Sequence, residues 1–362
     1  MPVAVRSEIP ARQAVTGTMQ AAVLYGKEDV RLEAVPVPAI GPGELLVRVR
    51  AALTCGTDVK VFHRGYHAKM IRPPALFGHE MAGDVVAVGE GVTNFRAGQR
   101  IVAANSAPCD RCFFCLRNQQ NLCEDLLFNN GAYAEFIRLP ARIVQKNTYL
   151  IPDHLAYKDA ALVEPLACVL RGLDESQLRP GDTLAVMGLG PIGLMFVRLA
   201  KRAWGARVIV IARRIEQIDR AMLLGADEGI LMGNYAALVS AVKARTNGRG
   251  ADVVVEAIGN PASWELATQL VRKGGAINFF GGCPSGTKVG LDTALLHYSE
   301  ITCKASFHHT PSHIRRSVAL IAEGKVTAAH LVNHEEPLSH LPRVLYDLAH
   351  HRNGQIKTAI IP

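Results

Sequence analysis

The chain predicts an α/β protein of two domains, one β-rich with a barrel-like sheet and one built on a doubly wound parallel sheet. Three observations carry this. Val47, Val49, Ala51 and Leu53 alternate with Arg48, Arg50 and Ala52, the period of two that a half-buried strand imposes. Glycines at positions 83, 89, 91 and 98 then separate short Val-rich runs such as residues 84–88, so the first third reads as short strands bent at glycine turns into a partly closed sheet. From Gly181 onward, strand-like and helix-like runs alternate at the spacing of parallel βαβ units.

Each later element follows from its local pattern. Thr183–Met187 is a buried-type strand, a glycine turn follows, and residues 192–204 form an apolar helix. Residues 208–212 make the next strand and 216–224 the next helix. Further strands are expected near Ile230, at 253–255, at 276–280 and at 301–304, with helices at 236–245 and 261–271 between them. A helix at 312–323 and a final strand within 355–361 close the chain. The boundary falls near Glu164-Pro165. Residues 1–18 are then an N-terminal extension, 19–165 the first domain with 305–362 returning to it, and 166–304 the second.

Composition narrows the function. With 362 residues the chain can bury two cores, and its 49% hydrophobic and 20% charged content is that of a globular protein. No stretch reaches the roughly 20 apolar residues of a membrane span. The first 18 residues lack the apolar core of a secretory signal, which places the protein in the cytoplasm. The net charge of +8 raises nucleic acid as a partner, yet Lys and Arg are scattered and only 6% of residues are aromatic, so small anionic ligands are the better partners. Most of the thirteen histidines, His308 and His309 among them, read as surface side chains.

Eight cysteines in a chain of this size point to metal before disulfides. Cys109, Cys112, Cys115 and Cys123 stand as C-x₂-C-x₂-C-x₇-C, four soft ligands that close a tetrahedral Zn²⁺ with no open position, a structural site. Cys168, Cys283 and Cys303 read as small core residues. Cys55 and His79 form the core of a second, catalytic-type site, with Glu80 and Glu164 as oxygen candidates. Cys, His and a carboxylate leave a fourth position for water or substrate. Glu80 is either a direct ligand or the group that orients His79. Thr57, two residues after Cys55, is a candidate proton relay.

Gly188-x-Gly190-x-x-Gly193, with Pro191 and Ile192 inside it, follows a strand and opens a helix, which suits a pyrophosphate resting on the helix N-terminus. At the end of the next strand an acid would bind the ribose 2′-hydroxyl of NAD. Ala212 stands there, followed by Arg213 and Arg214, with no acid before Glu216, so NADP is favoured over NAD.

Together these residues resemble the zinc-containing medium-chain dehydrogenase/reductase family over nearly the whole length from Met19. Gly78-His79-Glu80-Met81-Ala82-Gly83, with Gly89 and Val92, resembles that family's zinc signature, and Glu164-Pro165-Leu166-Ala167 resembles its sorbitol (L-iditol) dehydrogenase branch. The resemblance implies a GroES-like catalytic domain, a Rossmann coenzyme domain, an active site between them, and a homodimer or homotetramer. It implies Cys55, His79 and Glu80 as catalytic ligands, Glu164 nearby and Thr57 as the relay hydroxyl. Three positions depart from it: Lys60 where many relatives carry histidine, His308-His309 where polyol dehydrogenases carry Arg-Tyr, and Ala212 where NAD-preferring relatives carry an acid.

The expected reaction is hydride transfer between a secondary alcohol (a polyol, sugar or related hydroxyl compound) and NAD(P). A zinc Lewis acid acidifies the hydroxyl, and Thr57, then water or Lys60, takes the proton. A threonine- or simple-alcohol-type dehydrogenase is the alternative within the family. A metal-free quinone-reductase-like enzyme would lack the ligand set, and a zinc-ribbon nucleic-acid binder would need a basic, aromatic face.

Overall fold

The computed structural model describes residues 15–351 and 354–362. The proposed extension lies outside them up to residue 14, and the first strand, Thr18–Gly26, already includes Thr18. It pairs with Asp29–Pro36 on one side and Ala75–Leu76 on the other.

Leu45–Leu53 is the centre of the β-rich half. Its alternation is real: Arg48 and Arg50 are exposed, while Val47, Val49 and Ala51 are buried. Met81–Val88 runs antiparallel along one edge, followed outward by Arg100–Ala103 and Thr148–Leu150. The other edge is shared. Phe136–Leu139 pairs with residues 45–48, and the C-terminal strand Thr358–Ile361 pairs with Ala52 and Leu53. Register shifts put an extra residue first in Met81–Val88, at Val86, and then in the central strand, at Arg50, and such bulges bend the sheet. His334–Pro337 follows beyond the C-terminal strand.

The second half is a six-stranded, wholly parallel sheet in the order Glu228–Leu231, Arg207–Ala212, Thr183–Met187, Ala251–Glu256, Val271–Phe279, Thr302–Ala305. Strand order reverses between Thr183–Met187 and Ala251–Glu256, and ligands bind in the crevice that opens at such a reversal. Helices Pro191–Ala203, Ile215–Leu224, Tyr235–Arg245 and Pro261–Leu270 lie where the sequence places them, within about a residue. One strand begins earlier than expected, at Val271, which pairs with Ala251, and the regular ladder resumes after a register shift at Ala276.

A helix, Val163–Glu175, runs through residue 165 and packs against Pro191–Ala203 and Pro311–Ala322. Its Leu166 and Leu170 share one core with Leu53 and Val102 of the first sheet, with Val186 of the second, and with Leu194 of the helix Pro191–Ala203. This continuous core fixes Glu164, in the first turn of the helix, against the junction.

Two expectations are corrected. Cys303 is exposed, on an edge strand whose four residues all face solvent, and Cys168 and Cys283 are only half-buried, so none of the three is a fully buried core residue. His309 is 3% exposed and His308 half-buried, not surface side chains, because the segment after the edge strand passes under the junction.

Candidate active site

Cys55 caps the helix Gly56–Arg64, its Sγ accepting the Thr57 N–H at 3.4 Å. Three residues on, buried Asp58 returns to the Cys55 N–H at 3.0 Å, a reciprocal cap that fixes the cysteine's backbone. The same carboxylate lies 3.0 Å from His79 Nδ1 and accepts the Tyr133 hydroxyl at 2.5 Å. With Nδ1 held by Asp58, the other ring nitrogen of His79 is the one free to ligate. Glu80 follows, and one ligand atom from each of Cys55, His79 and Glu80 lies within 4.8 Å of the others.

The electrostatics favour a cation. Burial alone would push His79 down, but Asp58 and Cys55 raise it well above the usual imidazole range. Glu80 is fully buried, one carboxylate oxygen ion-paired with Lys357 and the other, Oε1, without a hydrogen-bond partner. Lys357 also donates to the Thr54 carbonyl at 2.7 Å. An orphaned buried carboxylate oxygen beside a thiol and a free imidazole nitrogen is a donor set that fits Zn²⁺.

Glu164 belongs to a neighbouring group with Cys168 and His308, whose ligand atoms also lie within 4.8 Å of one another. Burial pushes Glu164 up to about 7. Its Oε1 lies 3.6 Å from His309 Nε2 and 3.8 Å from the Cys168 thiol. His308 reaches Ser106 Oγ at 2.7 Å, and burial holds it down at about 3, a neutral ring. Thr57 is half-buried in the first turn beside Cys55, and Lys60, three residues on, is exposed on the same helix side.

The four-cysteine loop closes as its spacing predicts. All four sulfurs lie within 4.8 Å of one another, with Cys112 and Cys123 3.9 Å apart. Zn–S bonds of roughly 2.3 Å put tetrahedral ligands roughly 3.8 Å apart. N–H groups of Cys115 and Glu124 lower the Cys112 thiol to about 6, favouring the thiolate a metal needs.

Across from Cys55, the three glycines do different work. Gly188 has φ +91°, and a Cβ there would meet Ile258 at 2.7 Å. A Cβ on Gly193 would strike the Gly188 carbonyl at 1.9 Å, so this glycine lets the helix Pro191–Ala203 dock on its strand. Gly190 caps that helix with nothing within 4 Å, the open approach a pyrophosphate requires. A cleft of about 440 Å³ is lined by Cys55 and Val59 on one wall and Gly190, Pro191 and Arg214 on the other. Arg213 is exposed and outside this lining, whereas Arg220 and Glu216 belong to it.

Residues 41–153 match the model of the alcohol dehydrogenase GroES-like domain, and 191–323 that of zinc-binding dehydrogenases. The chain is 32% identical to a sorbitol dehydrogenase of Bacillus subtilis across 96% of this chain and 98% of that one. The chain belongs to the zinc-containing medium-chain dehydrogenase/reductase family. An L-threonine 3-dehydrogenase of Bacillus licheniformis is 35% identical over 72% of this dehydrogenase and 76% of its own length. A crystal structure bound to NADP, of a protein described as a zinc-binding dehydrogenase from Sinorhizobium meliloti, superposes with a TM-score of 0.87 at 30% identity, covering 96% of this chain and 100% of that one. The β-rich half is therefore a GroES-like domain and the parallel sheet a Rossmann fold.

Asp58, Tyr133, Lys357 and Arg220 surround this dehydrogenase's site without having been singled out in the sequence. Asp58 had a signal, since an acid three residues after Cys55 is the spacing of a helix-capping pair. Lys357 reads as the polar start of an apolar strand, and nothing local marks it as buried.

Proposed function

We propose that this dehydrogenase oxidises the secondary hydroxyl of an uncharged polyol, sugar or related compound, reversibly, with NADP preferred over NAD. The observation that carries the reading is the meeting of Cys55, His79 and Glu80 beside a cleft whose far wall is the Gly190 helix terminus and Arg214. Cys55 Sγ, the free His79 nitrogen and Glu80 Oε1 would hold the catalytic zinc, with Glu164 as the nearby carboxylate, and Cys109, Cys112, Cys115 and Cys123 the structural one. When bound, zinc supplies a Lewis acid that acidifies a hydroxyl or polarises a carbonyl, and the nicotinamide supplies the hydride acceptor or donor. Asp58 orients His79, and Lys357 balances Glu80. Thr57 takes the substrate proton at its hydroxyl and passes it outward, past Lys60 or through water. Gly188, Gly190, Pro191, Ile192 and Gly193 cradle the pyrophosphate, and Arg214, helped by Arg220, receives the 2′-phosphate, with Arg213 outside the cleft lining.

Charge favours a neutral substrate over threonine. A carboxylate in the site would need a cation, and the buried ones nearby are engaged. Lys357 pairs with Glu80, and Arg171 donates to the Phe307 carbonyl at 3.2 Å and to Glu175 at 2.9 Å. Burial keeps His308 and His309 neutral. A panel of polyols, aldoses, simple alcohols and L-threonine, each with NAD and NADP, tests this. Polyols with NADP should give the highest kcat/KM, and threonine as the best substrate would overturn the reading. Arg214→Ser should weaken NADP roughly tenfold or more, the scale of a lost charge-assisted hydrogen bond, while NAD binding stays unchanged.

The catalytic domain is assigned to residues 19–165 with 305–362, and the coenzyme domain to 166–304. The free thiols suit a reducing compartment, the cytoplasm. Among the described residues no helix is long and apolar enough to cross a membrane. The exposed edge strand Thr302–Ala305, next to Tyr298 at 79% exposure, suits pairing with a second copy, hence a homodimer or homotetramer. Light scattering should give twice or four times the chain mass, and a monomer at assay concentration would sink this assignment.

A further inference from the structure

Among the described residues, one group of metal-ligating side chains contains no cysteine and stands apart from the site above. It is Glu28, His63 and His350, whose ligand atoms lie within 4.8 Å of one another. Glu28 occupies the turn between Thr18–Gly26 and Asp29–Pro36, His63 the last turn of Gly56–Arg64, and His350 the end of Leu341–His350. Three separate segments thus deliver one ligand each.

The spacing is that of ligands on one ion. His63 Nδ1 is 2.9 Å and His350 Nε2 3.5 Å from the same oxygen, Glu28 Oε1. Bonds of roughly 2.0–2.1 Å from an ion to nitrogen and oxygen put neighbouring ligand atoms roughly 2.9 Å apart at a right angle and roughly 3.4 Å apart at the tetrahedral angle. The field agrees. Both histidines stand in last helical turns, where the helix dipole presents negative charge to a cation, and Glu28 adds a full one. The parts are also held in place: the Glu28 N–H donates to the Phe62 carbonyl at 2.7 Å, the two imidazoles meet edge to face at 5.1 Å, and Tyr346 lies against His350 at 4.5 Å.

We propose that Glu28, His63 and His350 form a third metal site, for a first-row divalent transition ion such as Zn²⁺ with water completing its coordination. Two imidazoles exclude Mg²⁺ and Ca²⁺, which take all-oxygen shells, and suit zinc and its neighbours. The three side chains are about a third exposed, which leaves room for the water. The ion would clamp two helices that border the cleft, one beginning beside Cys55 and carrying Val59, the other carrying Leu348.

The test uses holoenzyme with both cysteine-containing sites filled, dialysed against micromolar Zn²⁺ and analysed for metal. One further ion per chain is expected, and it should raise the unfolding temperature. His350→Ala and Glu28→Gln, at partly exposed positions, each remove one of three direct ligands and should take up no further ion at micromolar Zn²⁺ and lose the thermal shift. His154→Ala, an exposed histidine elsewhere, should behave as wild type. No further ion in the wild type, or equal uptake by the Glu28 and His350 variants, overturns the proposal. Activity and the zinc content of the cysteine-containing sites stay unchanged in these variants, so this outcome is separable from the reading of the active site.

Discussion

Replacing Cys55 by alanine is expected to cut turnover to background while leaving coenzyme binding intact. Cys55 supplies the only soft ligand of the Cys55–His79–Glu80 set, and without it two donors remain, too few to hold zinc. A Lewis acid contributes several kcal/mol of transition-state stabilisation, so kcat/KM should fall about a thousandfold or more. Unfolding does not mimic this. The sulfur's second role is one cap bond to the Thr57 N–H, and losing a cap costs about 1 kcal/mol against a typical total of about 5–15 kcal/mol. Zinc per chain should drop by one, and NADPH titration should give an unchanged dissociation constant because Gly190 and Arg214 lie on the other wall of the cleft. Full activity in Cys55→Ala would refute the zinc mechanism.

The sequence made the coenzyme half legible almost residue by residue. Strands such as Arg207–Ala212 are buried along most of their length and helices such as Ile215–Leu224 end at a left-handed Gly225, so local pattern and final structure agree. The β-rich half was legible as a class but not as a pairing scheme. Nothing local says that Leu45–Leu53 pairs with the last strand of the chain, because strand partners are chosen by contacts more than 300 residues apart.

The same division runs through the site. Cys55, His79 and the four-cysteine loop carry signals in their own spacing. Cys303 and His309 went the other way: a small apolar-looking residue faces solvent because its strand is a sheet edge, and an imidazole in a polar stretch is buried because the segment 306–310 passes beneath the junction. Arg213 and Arg214 are equivalent on paper, yet only Arg214 lines the cleft, since adjacent residues point in different directions as the chain enters a helix.

Lys357 is the residue whose loss should cost most stability, and the reason is a count of charge. Asp58 and Glu80 bring two carboxylates to a buried pocket beside the Cys55 sulfur, against the Lys357 ammonium and the proton that Asp58 and Cys55 hold on His79. A divalent ion would take the place of that proton and add to the positive charge facing the two carboxylates. Lys357→Met removes the ammonium and leaves Glu80, fully buried and with Oε1 already unpartnered, without its counter-charge. Breaking such a pair from one side costs about 3–5 kcal/mol, a large share of a typical protein's stability. Zinc offsets part of that repulsion, so the loss should be greatest after chelation and smaller in the zinc-loaded protein. Glu80→Gln combined with Lys357→Met removes both charges and should recover most of the stability in chelated protein, but not the activity. Thermal unfolding of wild type, single and double variants, each with and without chelator, reads all of these. Equal stability of chelated Lys357→Met and chelated wild type would mean that the buried pair does not hold the pocket together, and that Glu80 is not kept ionised for a metal.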